Sequence, residues 1–100
     1  MEDPKNAPGQ NQNLNVKISD DELKGRYANL VRISHTREEF ILDFINFVPP
    51  QGMVTARMIM SPGHIKRLIT ALDRNLKLYE ENHGDVREAP EPDGGMSSIN

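Results

Sequence analysis

Cysteine and tryptophan are both absent from this chain of 100 residues. Without a thiol there can be no disulfide, no cysteine nucleophile and no thiolate metal site. Long hydrophobic runs are missing as well. No stretch approaches the ~20 apolar residues that span a bilayer, and the first residues hold no apolar core of the kind a secretory leader carries. The expectation is a soluble, cytoplasmic protein with no membrane association. Neither sign of charge dominates: residues 14–84 carry ten basic and nine acidic side chains, and the net charge of −3 comes from the two ends. A near-neutral centre argues against strong non-specific nucleic-acid binding, which usually shows a large basic excess. Reaction signatures are equally scarce. There is no glycine-rich phosphate loop, no nucleophile elbow, no HExxH pattern and no pair of catalytic carboxylates. The sequence therefore predicts no enzyme, no cofactor and no metal.

What is present is a central block of alternating and helical patterns. Residues 1–13 are rich in Asn, Gln and Pro; residues 85–100 hold two prolines, two glycines and an acidic excess. Segments of that composition cannot bury enough apolar surface to offset the entropy of ordering them, so both are expected to be disordered tails. The remaining block, 14–84, is a small domain, and a core of that size often needs a partner chain.

Within the block, Leu14, Val16 and Ile18 alternate with Asn15 and Lys17, which suggests a short fourth, edge strand. Ser19 and Glu22 have the spacing of a capping box, with Gly25 ending any helix within a turn or two. Residues 27–35 read as a strand with Tyr27, Val31 and Ile33 on one face. Residues 40–48 and 54–60 read as two more, joined by a turn at Pro49-Pro50-Gln51-Gly52. Short polar connections imply sequential antiparallel pairing. Ser61 and Pro62 then have the chemistry of an N-cap and a first helical residue. Ile65, Leu68, Ile69, Leu72, Leu76 and Tyr79 form one helical stripe, and Gly84 stops it. At ~1.5 Å per residue this helix matches the length of a nine-residue strand, so it is expected to lie along the sheet and cover one face. The fold class expected is α+β: a three-stranded, or with 14–18 four-stranded, antiparallel meander packed against one long C-terminal helix.

Strand 40–48 is apolar on both sides. A sheet covered by one helix should have one dry face and one wet face. Ile41, Ile45, Phe47 and Ile59 would be left on the uncovered side, and an apolar patch of that kind marks an interface. These four residues are the candidate interface, and a homodimer or higher oligomer, joined sheet to sheet or by strand exchange, is expected. The competing reading has 14–18 and Leu23 folding back over the same face.

Other constellations are weaker. His35, His64 and His83 lack any metal-ligand spacing and suit local roles in turns and helix ends. Asp43 lies mid-strand between Leu42 and Phe44, where a carboxylate needs a partner. Arg57 on the next strand is nearly opposite, given a small offset in register, and an ion pair that fixes register is the expected role. Met53, Met58 and Met60 suit adaptable core filling. Lys66, Arg67, Arg74 and Lys77 lie opposite the helical stripe. They are the candidate anion-binding residues, set against the simpler reading of a solvated face with mixed charge.

Tyr27-Ala28-Asn29, His35-Thr36-Arg37-Glu38-Glu39-Phe40, Leu42-Asp43-Phe44 and Met60-Ser61-Pro62-Gly63-His64-Ile65-Lys66 together resemble a widespread family of small prokaryotic proteins classed only as a domain of unknown function. The resemblance covers about residues 20–84. It implies a β-meander followed by a helix and brings no activity, substrate or catalytic residue. Arg37 stands where that pattern has proline. Function is thus expected to be non-enzymatic: a protein–protein interaction module or structural subunit, associating with itself or with another protein. Nucleic-acid or phosphate binding by the basic helix face is the alternative.

Overall fold

The computed structural model describes residues 14–91. The expected tail at 1–13, and 92–100 of the expected tail at 85–100, lie outside them. The elements are α1 (Asp20–Leu23), β1 (Leu30–His35), β2 (Phe40–Val48), β3 (Gln51–Met60) and α2 (Pro62–His83). The sheet order is β1-β2-β3 and both pairs are antiparallel. The expected α+β meander with a long C-terminal helix is therefore present.

Short connections give this order its physical basis. Between β1 and β2, the Thr36 hydroxyl accepts from the N–H of Glu38 at 3.2 Å and of Glu39 at 3.3 Å. The Thr36 N–H donates to the Glu39 carbonyl at 2.9 Å and closes the hairpin. Between β2 and β3, Pro49-Pro50 alone makes the turn. Gln51 and Gly52 already pair with Val48 and Phe47, so β3 begins three residues before the expected position.

β1 starts at Leu30 rather than at Tyr27, and Asn29 explains the difference. Its N–H donates to the Ile45 carbonyl at 3.0 Å. Its side-chain oxygen accepts from the Phe47 N–H at 2.8 Å, and its Nδ2 donates to the Phe47 carbonyl at 2.9 Å. A carboxamide carries the same donor and acceptor as a peptide unit. Here it continues the ladder where the backbone has left it.

No fourth strand forms among the described residues. Leu14 and Val16 are exposed by 84% and 75%, and Ile18 and Leu23 are also exposed, so this segment covers neither face. Three aliphatic side chains on five residues bury too little to offset about 1–2 kcal/mol of backbone entropy per residue. α1 is a single turn with Ser19 as its N-cap; Glu22 pairs with Arg26 at 2.6 Å instead of completing a capping box.

The register of β2 on β3 runs from Phe40↔Met60 to Phe44↔Ala56, then shifts to Ile45↔Val54. Thr55 is the extra residue of this bulge. Its hydroxyl donates to the Phe44 carbonyl at 3.1 Å. A bulge of one residue exchanges the faces of everything beyond it. Val54 therefore leaves the face of Ala56, Met58 and Met60, on which simple alternation placed it. One face carries the rows Val31–Phe44–Ala56, Ile33–Leu42–Met58 and His35–Phe40–Met60; the other carries Leu30–Ile45–Val54, Arg32–Asp43–Arg57 and Ser34–Ile41–Ile59. Among the described residues the buried apolar core, Leu42, Ile45 and Phe47, sits entirely on the central strand.

The expectation that α2 covers the sheet is not met. None of its 22 residues is buried. Ile69, Leu72, Leu76 and Tyr79 stand 49–61% exposed. The cause is the connection. Ser61 alone separates the last residue of β3 from Pro62. Packed layers lie about 10 Å apart, whereas one extended residue spans at most ~3.6 Å. So short a connection, below the roughly two to six residues usual between a strand and a helix packed on its sheet, disfavours the return of α2 over the sheet.

Candidate interaction surfaces

At the centre of one sheet face, Asp43 is flanked across both ladders by Arg32 and Arg57. Arg57 donates from Nε to Oδ1 at 2.7 Å and from a terminal nitrogen to Oδ2 at 3.0 Å. Arg32 adds a longer contact to Oδ2 at 3.4 Å. The Asp43 side chain is only 5% exposed, while Arg57 and Arg32 remain 60% and 47% exposed. The carboxylate is thus shielded while both of its partners stay open to solvent. The paired hydrogen bonds from Arg57 hold the Asp43 carboxyl below the usual carboxylate range, against the opposing effect of lost hydration; the charges of both arginines add to the lowering. Asp43 in turn raises Arg57. A carboxylate with both oxygens engaged and its proton affinity lowered is a poor general base. It is well suited to tie three strands in one register.

The four residues of the expected interface share this face, and the structure separates them. Ile45 and Phe47 are each 5% exposed and already covered by their own chain, Ile41 is half-buried, and Ile59 stands 58% exposed. Gly52 explains the cover. A Cβ there would lie 3.0 Å from Phe47 Cδ1 and 3.2 Å from Ile45 Cγ2. Both side chains close over the bare backbone of the facing strand. The sequence shows Gly52 as a turn residue; only its register reveals it as a floor beneath an aromatic ring.

Ile59 and Val54, 58% and 43% exposed, leave part of this face open, and further apolar surface is open elsewhere. On the other sheet face Ile33 and Met58 are about half exposed, at 51% and 53%, around the buried Leu42. On α2 the whole stripe beyond Leu68 is uncovered. Of the four candidate anion-binding residues, Arg67 and Arg74 lie opposite that stripe while Lys66 and Lys77 flank it, so the expected single basic face is not formed by all four; each is exposed. Lys77 pairs with Asp73 one turn away at 2.9 Å.

The histidines have separate local roles. His35 stacks on Phe40 with ring centroids 5.1 Å apart, and His83 packs against Tyr79 at 4.7 Å. The His64 N–H donates to the Ser61 hydroxyl at 3.3 Å, which completes the N-cap. No group of three or more His, Asp or Glu that could hold a metal occurs among the described residues. Nor is any helix among them long and apolar enough to cross a membrane.

The chain is thus a small α+β protein in which a three-stranded meander is followed by a helix that stands free of it. Its sequence matches a family model over residues 1–88, and the chain belongs to that family, described as "Protein of unknown function (DUF3467)". No curated protein and no solved structure matches it.

Proposed function

We propose that this protein is a non-enzymatic interaction module, a structural subunit whose apolar surfaces are completed by another polypeptide, in the first instance a second copy of itself. The observation that carries this reading is the bare stripe of α2. Most helical stability in proteins comes from packing of an amphipathic face, and this helix holds Thr70, Asp73 and Asn75 in its middle, all weak helix formers. Four large apolar side chains about half exposed along one edge mark a surface that another chain covers. The double variant Leu72→Glu/Leu76→Glu tests this. Sedimentation should show the parent protein as an assembly and the variant as single copies that keep the sheet. A parent that stays a single copy at every concentration, with α2 amides that exchange as fast in native cell extract as in buffer, would contradict the proposal.

A second reading rests on the basic face of α2, where Lys66, Arg67 and Arg74 are exposed. Electrostatic binding of duplex or single-stranded nucleic acid through these residues would weaken steeply with salt. A polarisation titration at two salt concentrations separates this reading from the first.

A further inference from the structure

The reading as an interaction module leaves open what occupies the stripe of α2, and the inference here rests on that reading. Ile65, Ile69, Leu72, Leu76, Tyr79 and His83 recur at spacings of four, three, four, three and four. That is the seam of a paired helix, with Ile69, Leu76 and His83 at a and Ile65, Leu72 and Tyr79 at d. We infer that α2 packs against the α2 of a second copy, antiparallel, about a two-fold axis near Arg74. The layers are then Ile65 on the partner's His83, Ile69 on the partner's Tyr79, and Leu72 on the partner's Leu76.

Charge decides the direction. The e positions beside the seam are Lys66, Asp73 and Glu80; the g positions are Leu68, Asn75 and Asn82. In an antiparallel pair e faces e. Each Lys66 then meets the partner's Glu80, which makes two ion pairs related by the axis. Asp73 meets the partner's Asp73 at the centre, and Lys77 of the same chain already neutralises it at 2.9 Å. In a parallel pair g faces e, which sets Leu68 against Asp73 and Asn75 against Glu80 with no ion pair at all. Lys66 and Glu80 cannot meet within one chain, because fourteen helical residues separate them by ~21 Å. Their complementarity is usable only between two copies. The contact is self-complementary and closes at two.

The absence of cysteine makes the test direct in the full chain. Two g residues at position 75 lie next to each other across an antiparallel axis and on opposite sides of a parallel pair. Two a residues at position 76 meet only in a parallel pair. Under mild oxidation Asn75→Cys should form a covalent dimer rapidly, and Leu76→Cys should do so slowly. Charge provides a second readout that does not depend on the cysteines. Lys66→Glu and Glu80→Lys should each weaken self-association on the order of tenfold, and an equimolar mixture of the two should recover it as a heterodimer. Rapid crosslinking through position 76 with none through 75 would overturn the inference, as would a mixture no tighter than either variant alone. A doubled mass with neither effect would also overturn it while leaving the interaction reading intact, since another surface would then join the copies.

Discussion

Asp43 and Asn29 do the most with a single side chain. Asp43 joins both ladders at their midpoint through Arg57 and Arg32. Its folded proton affinity is depressed, so its stabilising contribution is complete above the ordinary aspartate value of about 4 and is lost as pH falls through the lower folded value. Thermal melts of Asp43→Asn should therefore show a lower midpoint than the parent at neutral pH and a flatter decline on acidification below about pH 4. Asp43→Ala should lower stability at neutral pH with no change in the assembled state. A variant as stable as the parent would rule out the role in register. Asn29 was visible in the sequence only as part of a strand, because nothing in alternation marks a side chain that substitutes for a peptide unit. Asn29→Ala strands the N–H and carbonyl of buried Phe47. Chemical denaturation should show a loss of about 1–3 kcal/mol, the cost of unsatisfied buried polar groups.

At the level of elements, strands and helix were legible because alternation and 3–4 spacing are local properties of the chain. Gly84 closes α2 as its composition suggests, with φ +94° and its N–H on the Glu80 carbonyl at 2.8 Å. The bulge was not legible. The near-pairing of Asp43 and Arg57 required a small offset, yet only the ladder shows that Thr55 absorbs it and turns Val54 to the other face. The floor at Gly52 was hidden for the same reason, since it depends on which residue faces Phe47. Gly52→Ala should cost about 1–3 kcal/mol by overpacking beneath Phe47 and Ile45, read by denaturant titration. An unchanged midpoint would show that the ring moves aside freely. At the start of α2, Ser61→Ala removes the acceptor for the His64 N–H. It should cost about 1 kcal/mol and raise amide exchange in the first turn of the helix more than in the strands.

For the whole molecule, the decisive quantity was the length of one connection. Matching lengths of helix and strand suggested a helix laid on the sheet, but a single residue between β3 and α2 disfavours the return. That residue was readable in the sequence, and its geometric consequence outweighs the match in length. The result, among the described residues, is three buried apolar side chains, all on β2, and an uncovered amphipathic helix. On the reading proposed above, a fold of this kind acquires its second layer from another polypeptide. The most direct measurement is amide hydrogen exchange along α2 as protein concentration rises from micromolar to hundreds of micromolar. Exchange at Ile69, Leu72 and Leu76 should slow in step with concentration while the strands stay constant. Identical exchange at both ends of that range, in a protein that sediments as one 11.3 kDa copy, would contradict the account.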